Sequence, residues 1–501
     1  MLDRLPVIVG VAQRTYRTDD PVEAREPLLL MEDVARAAFA DAHANSLAAR
    51  VDSVRVVNMI SAPYADPAGA LAERLGLAPG ERLYTSIGGN TPQWLVNRTA
   101  DDLAAGRVRI ALLAGAEALH TLRLASERGI ALGWARRAGH PPMIGDTRMG
   151  SHPDEWRHGA QTPSQIYPLF EIARRVHRGE APAGHRQRIA ALSASFARVA
   201  AENPHAWFRD GKTATEIGTV TERNRMIAFP YPKFMSPIIA VDQAAAIVLT
   251  TAAEARALGV PAQRCVYLHG GDDAHDIWWL KDRVDYHSSP GMALAFEQAL
   301  TRAEVTPDAL GAVDVYSCFP VASAFAADLL GLPANGSRPL TVTGGLPYFG
   351  GPGNNYGTHA IATMVERLRA APGTLGLVSG LGWYMTKHAV GIYGTAPPPR
   401  PWERPPHEEL QVRIDGLAHP SAVPNATGRA RIETYTVVHD RDGVASNAII
   451  VARLEDGTRT FANIEPDPGG FALLEREEMV DAPGRVHTDA EGRNRFHLNG
   501  S

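Results

Sequence analysis

The residues with chemical potential gather in four short stretches. Asp314-Val315-Tyr316-Ser317-Cys318-Phe319-Pro320 sets a thiol just ahead of a helical run from Ala322 to Leu330. At a helix N-terminus, free N–H groups and the positive end of the dipole favour the thiolate. A thiol between apolar neighbours also suits a small buried hydrophobe. Gly88-Gly89-Asn90-Thr91-Pro92 leads into a helix from Gln93 to Ala105, with Asn90 or Thr91 as cap and Pro92 in the first turn. Its backbone N–H groups suit an anion or an oxyanion, and the glycines equally suit a tight turn. Residues 344–357 hold six glycines in fourteen positions, including Gly350, Gly351 and Gly353, followed by Asn354 and Asn355. Backbone folded that tightly makes a ligand wall or a close packing of two loops. No GK[ST] follows it and no GxGxxG opens a helix, so a phosphate-binding loop is excluded. The fourth stretch is Val378-Ser379-Gly380-Leu381-Gly382.

Composition removes several classes. The chain has 501 residues, two cysteines and a net charge of −5. Two cysteines exclude a disulfide scaffold and a multi-cysteine zinc or iron–sulfur site, so no metal is expected. The acidic balance argues against a nucleic-acid partner. No apolar run has the length of a membrane span. The N-terminus runs from Pro6 straight into a core-type strand without a signal-peptide layout, so a cytoplasmic location is expected. Only four of the 50 basic residues are lysines, Lys212, Lys233, Lys281 and Lys387, and none sits in an obvious pocket motif. That leaves little for Schiff-base chemistry.

Strand and helix patterns alternate around these stretches. Val7 to Val11, Val51 to Ile60 and Arg109 to Ala114 read as strands, and Leu28 to Ala44 and Ala70 to Leu75 as helices. The segment from Arg136 to Pro237, rich in His, Arg, Pro and Trp, reads as a mostly helical insert. Asp242 to Thr250 returns with a helix-capping start and an apolar strand. TSIGG (85–89) and TVTGG (341–345) each precede a helix and an apolar strand, which suggests a duplicated architecture. APPPRPWERPP (396–406) reads as an extended linker. Beyond it, Arg429 to His439 alternates with period two, and Asn447 to Leu454 and Arg459 to Ile464 flank a turn at Asp456-Gly457. The region past Arg485 reads as a loose polar tail.

These ordered motifs resemble the thiolase superfamily over most of residues 1–395. The family's nucleophile loop, helix, glycine and AGG-x-E-like turn are matched from Gly89 through Gly106 to Ala114-Gly115-Ala116-Glu117. Its NEAF or HDCF element is similar to Tyr316-Ser317-Cys318-Phe319, its GHP-containing glycine element to residues 344–357, and its C-x-G-x-G element to residues 378–382. The CF dipeptide is nearest the sterol-carrier-type branch. At the family's four reactive positions this chain has Gly89, Gly351, Val378 and Tyr316, so the usual covalent acyl intermediate lacks its nucleophile. The β region resembles the TVVH strand of the OB-fold proteins that partner sterol-type thiolases and bind acyl-CoA, without their zinc cysteines.

The resemblance implies an α/β chain with a duplicated five-layered thiolase-like fold, a helical insert and a small C-terminal all-β, OB-like domain. The expected divisions are 1–135 with 237–260, an insert at 136–236, a second α/β unit at 261–395, a linker at 396–408, a β domain at 409–490 and a tail at 491–501. The implied function is that of an acyl-CoA-binding protein, acetyl-CoA acetyltransferase-like, without the standard Cys/His/Cys residues. The alternatives are non-catalytic binding of a coenzyme A thioester, or a partner subunit of a lipid-metabolising complex. Catalysis, if present, would fall to Cys318, Tyr316 and Asn355. Gly88, Gly89, Asn90, Phe319, Gly350, Gly351, Gly380 and Gly382 would line the coenzyme A thioester, which is substrate or ligand and not a covalently bound cofactor. The Arg/His-rich part of the insert (Arg174, Arg175, His177, Arg178, His185, Arg186) would meet its phosphates or form a solvated helix face. Homodimer and monomer both remain open, as does a protein partner. The β domain would cover the acyl end of the pocket, occupy an oligomerisation surface, or act as a stabilising appendage.

Overall fold

The computed structural model describes residues 2–134, 141–465 and 467–498. In chain order, β1 (Pro6–Thr15), β2 (Ser53–Val56), β3 (Glu81–Tyr84) and β4 (Ile110–Ala118) precede the insert, which carries the short β5 (Met226–Ala228) and β6 (Tyr231–Pro232). Then come β7 (Asp242–Thr251), β8 (Val266–His275), β9 (Leu310–Asp314), β10 (Leu375–Gly382) and β11 (Lys387–Gly394). The last group is β12 (Gly428–His439), β13 (Ala445–Leu454), β14 (Arg459–Asn463), β15 (Pro483–Thr488) and β16 (Asn494–Leu498).

Nine strands form one sheet in the order β3-β2-β4-β7-β1-β8-β11-β10-β9. The two repeats meet where β1 pairs with β8 through Val7–Tyr267 and Ile8–Val266. Alternation along β1 decides which helices lie on which face. Val7 and Val9 pack with Leu30, Met31 and Val34 of helix Pro27–Asp41. Ile8 and Val11 pack on the other face with Leu95 and Val96 of helix Thr91–Ala105. A bulge between Ile8 and Gly10 shifts the alternation by one residue, which returns Val11 to the side of Ile8. Every residue of β4 is buried, as helices on both faces of a sheet require.

The C-terminal strands close into a ring. The order β13-β14-β16-β15-β12 is completed by pairing of β12 with β13, and β14 runs parallel to β16. Helix Pro468–Arg476 joins β14 to β15. Two expectations change here. The tail is not loose, since β15 and β16 are paired ring strands. The mostly helical insert also carries the short β5, which pairs with β12 at Ala228–Val438. The proline-rich linker is a fastened strap: Arg404 bonds Asp101 at 2.7 Å and also Asp273, and Trp402 Nε1 donates to Asp101 at 2.7 Å. Further back, β2 spans only Ser53–Val56, short of the expected run to Ile60. Asp242 begins a strand and caps a distant helix, accepting the N–H groups of His120 and Thr121 at 3.0 and 3.1 Å. The expected start of the insert at residue 136 lies outside the described residues, as do Met1 and tail residues 499–501.

Arg459 fixes the ring to the second repeat. Its side chain is fully buried, bonds both Glu433 oxygens at 2.8 and 2.6 Å, and donates to the carbonyls of Lys281 and Arg283 at 3.0 and 2.5 Å. A buried guanidinium needs that many acceptors, because an unpaired one loses its hydration without return.

Candidate functional site

The four motif stretches converge. Gly88 N–H donates to Asn354 Oδ1 at 2.8 Å, and Tyr316 N–H donates to Ser379 Oγ at 3.0 Å. A Cβ on Gly380 would stand 2.8 Å from the Asn90 Cα, and one on Gly382 would collide with Asn90 Oδ1. Gly351 N–H donates to the Ile238 carbonyl at 2.8 Å. Gly350, at φ 117°, lies in the region that favours glycine, and a Cβ there would reach within 2.6 Å of Gln243 Oε1.

The convergence point is filled by side chains. A Cβ on Gly89 would collide with the Tyr316 hydroxyl, and would stand 2.6 Å from the Leu381 carbonyl. Tyr316 packs edge-on against Tyr356, with ring centres 5.6 Å apart, and burial raises its pKa. Behind it the Tyr356 hydroxyl donates to Asp314 Oδ1 at 3.0 Å and lies 2.6 Å from Thr343 Oγ1. Phe319 stacks on Tyr167 with centres 4.7 Å apart. Val378 is wholly buried. Asn355 Oδ1 accepts from Thr358 Oγ1 at 2.6 Å, while its Nδ2 is buried without a partner among the described residues. Asn355 also presses on Gly115, where any Cβ would collide with it.

The expectation of a Cys318 thiolate is corrected. Cys318 does precede helix Pro320–Leu329, but Phe319 is the cap residue and the thiol is buried. Burial pushes the thiol up to about 12, against the smaller lowering effect of the Tyr167 hydroxyl and the backbone N–H groups of Phe319 and Cys318. Desolvation outweighs the helix end.

Five of the six residues of the Arg/His-rich run are engaged elsewhere, and Arg186 is exposed. Arg174 bonds Asp328 at 2.7 Å, Arg175 bonds Glu478 at 2.5 Å, and Arg178 bonds Glu180 at 3.2 Å. His185 is buried against Glu171 and Glu180 at 3.2 and 2.9 Å. His177 stacks on His287 at 3.9 Å. The contacts with Asp328, Glu478 and His287 hold the insert to its neighbours, and those with Glu171 and Glu180 lie within it.

A different basic surface borders the glycine loop. A cleft of about 630 Å³ is lined by Arg123, Lys212, Arg223, Arg225 and Lys233, with Asp210 and Glu222 as the opposing acids. Trp207, Phe208, Phe234 and Tyr348 supply aromatic walls. The insert is laid onto the loop by backbone bonds from Trp207 N–H to Phe349 at 2.8 Å and from Phe208 N–H to Tyr348 at 2.9 Å. Ile238 lies on the cleft wall, and its carbonyl takes the Gly351 N–H. The cleft therefore abuts the motif centre. The sequence carried one signal of it: two of four rare lysines, Lys212 and Lys233, fall within a short aromatic-rich stretch.

The C-terminal region, residues 409–491, matches a family model described as the thiolase-like protein type 1 additional C-terminal domain. Among solved structures, the chain is similar to a monomeric SCP2-thiolase-like protein type 1 from Mycobacterium smegmatis. The identity is 33%, 99% of each chain is covered and the TM-score is 0.86. It also resembles an Ltp2-ChsH2(DUF35) aldolase at 18% identity, covering 78% of this chain and 98% of that one with a TM-score of 0.59. An acetyl-CoA acetyltransferase from Syntrophomonas wolfei aligns at 15% identity over 78% of this chain and 99% of its own, with a TM-score of 0.56. The last two likenesses bear on the fold alone. No curated protein matches the sequence.

Proposed function

Since the chain belongs to the SCP2-thiolase-like protein type 1 family, we propose that it binds the nucleotide end of a coenzyme A thioester in the basic cleft and holds it without forming an acyl-enzyme. One juxtaposition carries this reading. Five cations and four aromatic rings line a cleft that abuts the Gly350–Gly351 loop, while the family's nucleophile position is Gly89, covered by Tyr316.

Phosphate groups call for cations whose charges are not already neutralised, and an adenine ring gains from aromatic walls. Lys233 and Arg223 are exposed, and neither forms an ion pair among the described residues. The pantetheine arm would run past Ile238 toward Gly351, where a Cβ would still have 3.4 Å to its nearest neighbours. Beyond that point Tyr316, Leu381 and Val378 leave no nucleophile for the thioester carbonyl. Cys318, as a protonated thiol, is a poor one. We read the ring of β12 to β16 as OB-like and as a fixed companion of the core, bolted by Arg459, in a chain that works as a monomer.

Calorimetry with coenzyme A and acetyl-CoA tests the reading, combined with a free-thiol assay. Saturable binding without thiol release is expected, with binding weakened at least tenfold in Lys233→Glu combined with Arg223→Glu. No heat of binding, or equal binding by that variant, overturns it.

A further inference from the structure

A second cleft, of about 560 Å³, opens between the start of helix Thr91–Ala105, the turn into β11 and helix His407–Asp415. It shares no lining residue with the basic cleft. Lys387 lines it and is only 6% exposed, unlike the other three lysines, which are partly or fully exposed. Its Nζ donates to the Ile87 carbonyl at 2.5 Å. It forms no ion pair with any carboxylate among the described residues. Asp146, the acid that acts on it, is already paired with Arg148 at 2.6 Å. Burial pulls the ammonium down to about 8, so a share of the amine is neutral near pH 7 to 8.

The amine faces an acceptor with nothing to accept. Asn90 is 5% exposed and lines the same cleft, and its Oδ1 is buried with no hydrogen-bond partner among the described residues. The two groups converge on Gly88: a Cβ there would meet Asn90 Oδ1 at 2.5 Å and Lys387 Nζ at 3.0 Å. Trp278 supplies a ring 6.0 Å from Nζ. At the wall, Arg98 is exposed over the Trp94 ring at 5.9 Å and forms no ion pair among the described residues. In a chain that uses arginine almost everywhere for positive charge, this enclosed position holds a primary amine.

We propose that this cleft is a ligand site for a small aldehyde, which Lys387 binds as an imine. The amine lone pair adds to the carbonyl carbon, and the amine proton passes to the former carbonyl oxygen. The resulting hydroxyl donates to Asn90 Oδ1. Loss of that oxygen as water, with the second amine proton, leaves the C=N bond.

The test uses the full wild-type chain, glyoxylate as probe, and sodium cyanoborohydride, whose hydride converts the imine to a stable secondary amine. Peptide mass spectrometry then reads the rate at each of the four lysines at pH 7.5. Exposure alone makes Lys387 the slowest of the four. The proposal requires it to be the fastest, by at least tenfold, with a rate that saturates in glyoxylate. A Lys387 rate equal to or below those of Lys212, Lys233 and Lys281, or one that rises linearly without saturation, overturns it. Because all four rates come from one folded sample, no variant has to fold for the result to count.

Discussion

Where the four motif loops meet, Tyr316, Cys318 and Val378 are buried, and the space a Cβ on Gly89 would need is taken by a phenol and a carbonyl. Just past Ile238, the basic cleft has about 630 Å³ of open space and exposed cations on its walls. The first region keeps the backbone turns of the fold and fills the space they frame. The second keeps both its space and its charge. Substitution at the filled centre should therefore read out as stability, and substitution at the cleft as binding.

The largest effects that separate the two regions are expected at the filled centre, where Gly89→Cys places a thiol at the position that the resemblance to thiolases gives to the nucleophile. The new Cβ collides with Tyr316, so unfolding in urea should show a loss of about 3 kcal/mol, the upper end for overpacking a tight site. Tyr316→Ala alone costs about 3–5 kcal/mol through the cavity it leaves. Combining the two should cost less than their sum by about 1–3 kcal/mol, the coupling expected of residues that share one space. Additive costs would mean that Tyr316 is not what closes position 89.

The cleft should respond in the opposite way. Lys233→Glu with Arg223→Glu is expected to weaken coenzyme A binding at least tenfold, about 1.4 kcal/mol, with unfolding stability changed by less than about 0.5 kcal/mol. Calorimetry and a thermal melt on one preparation check both halves. A melt that drops as far as the affinity would place these side chains in the packing and dissolve the contrast.

The sequence made the filled centre more legible than the cleft. Glycine pairs, a cap and a thiol before a helix are local signals, and they marked the loops that converge. What fills the convergence is tertiary: nothing near Gly89 in the chain announces Tyr316, which arrives from more than 200 residues away. The insert misled for a similar reason. Arg174, Arg175 and Arg178 read as free cations until Asp328, for the first and last, and Glu478, for the second, are brought beside them. Lys233 and Arg223, less conspicuous in sequence, form no ion pair among the described residues, and their stretch lies along an open wall. The tail read as loose because β15 and β16 are short and polar on one face, and only ring closure gives them partners.

A pH test bears on the centre's outer wall. Glu117 is fully buried behind the glycine loop, accepting Ile60 and Ser61 N–H groups at 2.7 and 2.8 Å, and burial raises its pKa to about 7 from 4.5. A carboxyl raised on folding adds stability that is complete below its unfolded pKa and is lost as pH rises through its folded one. The wild type should therefore lose stability relative to Glu117→Gln between about pH 4.5 and 7, by about 1–3 kcal/mol, since the amide does not titrate. Urea unfolding of both proteins at pH 5, 6, 7 and 8 measures the difference. A gap that stays constant across that range would show that Glu117 titrates normally, and that the wall is wetter than its burial implies.

The smallest effect is expected at Cys318, the one thiol at the centre. Held neutral by burial, it cannot offer a thiolate near pH 7, where a group with pKa about 12 is ionised to roughly one part in 10⁵. Cys318→Ala should leave coenzyme A affinity within about twofold of the wild type, and cost about 1 kcal/mol through one lost buried group. Iodoacetamide should label Cys318 in the native protein far more slowly than in urea. Rapid native labelling, or an acyl-CoA-dependent activity that disappears with this substitution, would show that the filled centre opens to reagents and that its chemistry is not spent. The contrast between the two regions would then rest on motion rather than on which side chains are present.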